Sequence, residues 1–302
     1  MSDEIRYDGR VAIVTGAGGG LGREHAKLLA SRGAAVVVND LGGGVTGDGA
    51  DAGPAQQVVD EIKAAGGEAV ANGNSVEDGD AIVQTALDNY KRIDIVINNA
   101  GILRDKSFQK MTDEDWELVY KVHVEGAYKV THAAWPHMRE QEFGRIINTS
   151  SSTGIYGNFG QANYGMAKLG LHGFTNTLAI EGHSKNIYAN SIAPTARSRM
   201  TENLMPPELL KNLNPEYVSP LVAWLCHDDC KETGSLFEVG AGWYGKLRWQ
   251  RSAGVGLGTK DINIESIKSN FDGITDFSDP KYPATSAESI AGICENFASL
   301  QD

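Results

Sequence analysis

Short apolar runs alternate with longer stretches of helical period from the beginning of the chain. The strand-like runs are Val11–Val14, Ala35–Asn39, Glu68–Ala71, Ile93–Ile97, Arg145–Thr149, Ile187–Ile192 and Leu236–Val239. They are rich in β-branched residues and lack the polar alternation of a strand with one wet face, so both faces should be covered. Between them, helical patterns span Leu21–Ser31, Pro54–Ala65, Asp80–Tyr90, Thr112–Gln141 and Ala162–His183. This rhythm predicts an α/β fold: βαβ units building a doubly wound parallel sheet of about seven strands.

Two segments break the rhythm. Residues 42–53, GGGVTGDGADAG, predict a loop inserted after the second strand, where a shorter turn would suffice, and such a loop can act as a flap. From Gly245 onward the alternation stops, and 261–302 holds short amphipathic stretches separated by Asp-Gly, Asp-Pro and Tyr-Pro turns. Residues 1–245 are therefore read as one domain, and 246–302 as a C-terminal extension packed on it.

Composition narrows the ligands. A net charge of −12 over 302 residues repels nucleic acid and anionic lipid, so small molecules are the expected partners. Cys226, Cys230 and Cys294 have neither zinc-site nor CxxC spacing, and no metal is expected. The polar opening MSDEIRYDGR lacks a secretory apolar core, and no apolar run approaches the roughly 20 residues of a membrane span.

Candidate chemistry begins at Thr15-Gly16-Ala17-Gly18-Gly19-Gly20-Leu21-Gly22, which follows the first strand and opens the first helix. In that context the glycines form a dinucleotide cradle: Gly16 turns tightly, Gly20 admits the pyrophosphate, and Gly22 lets helix and strand pack closely. The helix N-terminus at Leu21 supplies N–H groups to the phosphates. Asp40 ends the second strand, 18 residues past Gly22, where a carboxylate accepts from ribose hydroxyls and repels a 2′-phosphate. No Lys or Arg stands at positions 38, 39, 41 or 42, so NAD is expected over NADP. Asn74-Ser75-Val76, after the third strand, is placed to border the adenine, although the same triplet is also an ordinary polar turn.

Tyr164 and Lys168 are four apart on a predicted helix and share a face. A cation near a phenol favours phenolate and brings the group toward proton exchange with a substrate. Ser151, 13 residues earlier at the end of the fifth strand, can hydrogen-bond a reacting oxygen. The stretch Gly154–Asn163 bridges Ser151 and Tyr164, and its Tyr156 and Phe159 can either wall the substrate or pack beneath the loop.

Taken together, these residues resemble the short-chain dehydrogenase/reductase family. The likeness is carried by the glycine motif, Asn98-Asn99-Ala100-Gly101, Ser151, the Tyr164/Lys168 pair and Pro194, over residues 9 to about 245. It implies a Rossmann fold in which Tyr164 is the general acid/base, Lys168 lowers its pKa and holds the nicotinamide ribose, and Ser151 polarises the carbonyl. It also implies that Asn99, Ala100 and Gly101 border the cofactor, and that Pro194 and Ala196 to Arg199 close over the nicotinamide, with Ser198 near its carboxamide. Relatives pair through the long helices, so a homodimer is implied. Where many members carry an asparagine that relays protons to the lysine, this chain has His123, which serves as a relay or as a core residue.

A narrower resemblance rests on GILRDKSF from Gly101, IYGNFGQANYG from Ile155, APTARSRMT from Ala193 and LFEVGAGWYGKLRWQR from Leu236. These look like the (3R)-hydroxyacyl-CoA dehydrogenase modules of peroxisomal multifunctional enzymes of fatty acid β-oxidation. That likeness implies an acyl-CoA substrate and a longer parent polypeptide with hydratase and sterol-carrier-like domains. The parent's absent C-terminal part would hold the peroxisomal address that SLQD does not provide, and this fragment alone would be cytoplasmic. The run from Lys246 to Arg251 is then either a contact for the anionic carrier or a solvated face. Two other readings stay open: a 17β-hydroxysteroid or other secondary-alcohol dehydrogenase, and a non-catalytic NAD-sensing scaffold.

Overall fold

The computed structural model describes residues 4–49, 51, 53–197, 208, 211–258 and 262–298, and the side chains of these except 296–298. Eight strands form one sheet: β1 (Val11–Thr15), β2 (Ala35–Asn39), β3 (Glu68–Asn72), β4 (Ile95–Asn98), β5 (Gly144–Thr149), β6 (Ile187–Thr195), β7 (Leu236–Gly240) and β8 (Trp243–Leu247), in the order β3-β2-β1-β4-β5-β6-β7-β8. The six pairings from β3 through β7 are parallel. The chain reverses direction of winding between β1 and β4, which opens a crevice at the strands' carboxyl ends.

The central strands feed two cores. Ala12 and Val14 of β1, Val36 and Val38 of β2, and Ile95 and Ile97 of β4 enter one buried cluster. Their alternates Val11, Ile13, Val37 and Val96 enter the cluster on the opposite face. This is why the runs read as continuous apolar segments: the period-2 alternation is present, but both sides are dry.

Helices α1 (Gly20–Ser31), α2 (Gly53–Ala64), α3 (Gly79–Tyr90), α4 (Asp113–Tyr120), α5 (Gly126–Gln141), the short α6 (Ser152–Tyr156) and α7 (Ala162–Gly182) connect the strands. The stretch expected as one helix over Thr112–Gln141 is α4 and α5 joined by a π-turn, Lys121–Glu125, which carries His123. A Thr112–Asp115 capping box starts it. The eighth strand, unforeseen in the sequence, follows a two-residue turn in which Ala241 and Gly242 both have positive φ, 50° and 79°. That is the type I′ geometry of a tight hairpin, so β8 runs back along β7.

The described chain divides into units Met1–Lys246 and Leu247–Asp302. The second holds helices at Ile264–Ser269, Phe271–Ile274 and Ser286–Ala298, an antiparallel bridge between Arg251 and Lys281, and Arg248 stacked 3.9 Å over the Tyr282 ring. None of its described side chains is fully buried. Among the described residues no helix is long and apolar enough to cross a membrane.

Candidate active site

One cavity of about 670 Å³ occupies the carboxyl-end crevice. It gathers Gly16, Gly20, Leu21, Asp40, Asn74, Ser75, Val76, Asn99, Ala100, Gly101, His123, Ser151, Tyr164, Lys168, Pro194 and Ala196. Ser198 and Arg199, also expected there, lie outside the described residues.

The glycines divide the labour by position. Gly16 and Gly20 have φ of 62° and 52°, in the left-handed region that glycine enters at little cost. A Cβ on Gly22, which does not line the cavity, would sit 2.4 Å from the Gly16 carbonyl and 2.6 Å from Asn99 Nδ2. The opposite is true at Gly19 and Gly20, where a Cβ would meet nothing within 4 Å, so the backbone there faces open space. Helix α1 starts at this point without a side-chain cap. Its first N–H groups are therefore available to an anion in the cavity.

Asparagines lock this frame. Asn99 Nδ2 donates to the carbonyls of Thr15 and Gly16, each at 3.0 Å, while the Thr15 hydroxyl accepts from Asn99 N and Ala100 N, both at 3.1 Å. Asn39 Nδ2 donates to Asn74 O at 2.8 Å and fixes the Asn74–Val76 turn at the far end. The Asp40 carboxylate accepts from Gly18 N at 2.8 Å and Gly42 N at 2.7 Å. No cation among the described residues forms an ion pair with Asp40.

At the other end, α7 brings Tyr164 and Lys168 to the end of β5. Lys168 is buried and its Nζ donates to Thr149 O at 2.6 Å, lying 5.5 Å from the centre of the Tyr164 ring. Burial brings this ammonium down to about 7. The half-buried Tyr164 phenol is pushed up to about 12, first by burial and further by the Asp105 charge, while a hydrogen bond with Ser151 pulls it down. Ser151 also accepts from Thr153 N at 3.2 Å, capping α6. The expected depression of the phenol by Lys168 is not among the causes of its shift: both groups share one poorly solvated place, and burial lowers the lysine's own pKa there.

His123 is buried with its ring edge-on to Tyr164, centroids 5.3 Å apart. Its Nε2 lies 3.0 Å from Ile102 N and 2.9 Å from Ile102 O, and one tautomer can satisfy only one of these. Burial, then the Lys168 charge, holds the ring well below its ordinary pKa, so it is neutral. Its Nδ1 and the hydroxyl of Thr149 are buried without a hydrogen-bond partner, and both residues line the cavity. Buried unpartnered polar atoms on residues that line the same cavity as a glycine cradle fit a ligand with its own donors and acceptors.

Tyr156 and Phe159 do not line the cavity. Helix α6 turns Tyr156 outward to donate to Glu238 Oε2 at 2.9 Å, and Phe159, flanked by the positive-φ glycines Gly157 and Gly160, is 89% exposed. Their place is taken by Thr153, Asn158 and Gln161. The buried Gln161 amide accepts from Thr153 and Asn158 and donates to Asp105 at 2.8 Å. The sequence signal for Gln161 is its place in the Gly154–Asn163 bridge, immediately before α7 and three residues before Tyr164.

Comparison with known proteins shows the family and the fold. Residues 10–208 match the family described as short chain dehydrogenase. The chain is 60% identical over 289 residues to peroxisomal multifunctional enzyme A of Dictyostelium discoideum, covering 96% of this chain and 65% of that protein. It superposes on the solved full-length peroxisomal multifunctional enzyme type 2 of Drosophila melanogaster with a TM-score of 0.84 and 45% identity, over 98% of this chain and 51% of that one. A 7α-hydroxysteroid dehydrogenase solved with NADH and 7-oxo glycochenodeoxycholic acid matches at a TM-score of 0.72 and 29% identity, over 80% and 97% of the two chains. The chain thus spans less than two thirds of the multifunctional enzymes it resembles.

Proposed function

The chain belongs to the short-chain dehydrogenase family, and from that premise we propose that it oxidises (3R)-3-hydroxyacyl-CoA to 3-ketoacyl-CoA with NAD, as the dehydrogenase module of a longer peroxisomal polypeptide. The observation that carries the reading is the convergence of a phenol, a hydroxyl and an ammonium in the same cavity as a glycine cradle. That the relatives are peroxisomal multifunctional enzymes, of which this chain spans only part, supports the peroxisome and the longer parent.

The cofactor is a nicotinamide nucleotide, and Asp40 supports NAD: an anionic 2′-phosphate would meet a carboxylate with no neighbouring cation in an ion pair. Gly19, Gly20 and Leu21 would hold the pyrophosphate, Asn74–Val76 the adenine, and Asn99, Ala100, Gly101, Pro194 and Ala196 the nicotinamide half. Bound there, the oxidised nicotinamide supplies a hydride acceptor.

As phenolate, Tyr164 takes the substrate hydroxyl proton, Ser151 donates to the same oxygen as its charge develops, and the hydride of the carbinol carbon would pass to the oxidised nicotinamide. With its pKa near neutrality, Lys168 switches protonation in the working range and, when charged, favours the phenolate. The neutral His123 ring props the Ile102 turn and the edge of Tyr164; Nδ1 is the atom through which a relay would run. A homodimer is supported by the exposed apolar residues Tyr128 on α5 and Met166, Leu169 and Ile180 on α7.

The test is the initial rate of nicotinamide reduction with (3R)- and (3S)-3-hydroxyacyl-CoA esters and a 17β-hydroxysteroid, each with NAD and NADP. Preference for the 3R ester and for NAD, each by at least about 100-fold in kcat/KM, is expected. Equal rates on both enantiomers, or a higher efficiency on the steroid, would reject the substrate assignment.

A further inference from the structure

The inserted glycine-rich segment is a closed loop laid against the cavity. Asp51 N donates to Leu41 O at 2.8 Å and closes its base, while Gly44 N to Asp48 O at 2.7 Å and Gly47 N to Gly44 O at 3.0 Å hold its tip. Gly43, Gly44, Val45 and Gly47 line the same cavity as the glycine cradle. At Gly47 the backbone lies so close to Ile102 and Leu118 that a Cβ would come within 3.1 and 3.3 Å of their methyl groups.

Arg104 fastens this flap. Its Nε donates to Thr46 O at 2.6 Å, and its Nη2 lies 3.2 Å from Asp48 Oδ1. The adjacent Leu103 N donates to Val45 O at 2.9 Å. A charged donor on a backbone carbonyl is the strong member of this set, because the exposed pair with Asp48 is screened by solvent.

The strap that carries Arg104 is itself anchored on the reacting side. Asn163, buried and next to Tyr164, donates to Arg104 O at 3.2 Å, and Lys106 N donates to Gly160 O at 2.8 Å. Ile102 rests on His123 and Asp105 on Gln161. The strap therefore joins the flap, on the dinucleotide side, to the loop that precedes Tyr164.

We propose that Arg104 is a positioning residue that latches the 42–49 flap over bound dinucleotide and so sets how long the cofactor stays. The inference rests on nicotinamide-nucleotide binding in this cavity, and not on the identity of the alcohol. Its measure is the dissociation rate of NADH, followed by stopped-flow fluorescence in the folded protein without any substrate. A wrong substrate assignment thus leaves the test intact.

Arg104→Met is expected to raise the NADH dissociation rate about tenfold, and Asp48→Asn less than threefold. Replacing 43–49 by two glycines should raise it at least as much as Arg104→Met. Combining that replacement with Arg104→Met should add nothing further, since the latch then has nothing to hold. An unchanged dissociation rate in Arg104→Met would overturn the proposal. So would an Arg104→Met effect that persists undiminished in the flap-shortened protein, because Arg104 would then act through Asp115, 3.9 Å away, and not through the flap.

Discussion

Tyr164→Phe is expected to lower kcat for alcohol oxidation by about a thousandfold or more while changing the NADH dissociation constant by less than about threefold. The size follows from the loss of a positioned general acid/base, which contributes about 10²–10⁴-fold, together with the loss of a hydrogen-bonding group at the reacting oxygen. The ring itself stays: Phe keeps the edge contact with His123 and the packing on α4, since neither uses the hydroxyl. Fold and cofactor cradle should therefore survive, and a circular dichroism spectrum and thermal midpoint close to wild type are part of the expectation. Retention of even a tenth of wild-type turnover would remove Tyr164 from the role.

Lys168→Met is the second large effect, and it runs in opposite directions for activity and stability. Turnover should fall by about 10²–10³-fold, because no ammonium is then left beside the Tyr164 ring to favour the phenolate when the site is working. Stability should rise at neutral pH. The Lys168 ammonium titrates near 7 in the fold and at 10.5 when free, so burial works against the charged form on the order of 4–5 kcal/mol at the acid end. Losing the hydrogen bond to Thr149 O takes back about 1.5–3 kcal/mol, which leaves the variant ahead by about 1–3 kcal/mol. The sign with pH is fixed: between 7 and 10.5 the unfolded chain binds more protons than the folded one, so wild-type Lys168 becomes less of a burden as pH rises. The advantage of Lys168→Met in denaturant melts should shrink from pH 7 toward pH 10. A variant less stable than wild type at pH 7 would mean that the ammonium is better solvated than its burial indicates.

What could be read from sequence divides along a physical line. The parallel sheet, the glycine cradle and the Tyr164/Lys168 face are local patterns: an apolar run, a turn that only glycine tolerates, a four-residue helical step. Each element keeps its meaning wherever the chain goes. The features that escaped depend on long-range contacts. Gly101 packs against His123, whose ring stands 2.4 Å from where a Cβ would be, and no spacing encodes that meeting. The π-turn carrying His123 inserts a register shift into a pattern that reads as one helix.

Tyr156 and Phe159 show how little proximity in sequence says about side-chain placement. Both lie between Ser151 and Tyr164, where a substrate wall or packing beneath the loop is expected, yet both rings are exposed and neither lines the cavity, Tyr156 ending α6 and Phe159 lying between the positive-φ Gly157 and Gly160. The polar Asn158 and Gln161 line the cavity instead. The flap was legible as an insertion, but not its fastening, because Arg104 and Thr46 lie 58 positions apart in the chain.

The most direct test of the central claim is a crystal structure of the protein with NADH and a 3-ketoacyl-CoA. The account predicts the pyrophosphate over Gly19–Leu21 and the ketone oxygen within about 3.2 Å of both Tyr164 Oη and Ser151 Oγ. It also predicts the nicotinamide between that ketone and the Lys168 side of the cavity. A complex with the ketone held away from Tyr164, or with the dinucleotide bound outside this crevice, would contradict it.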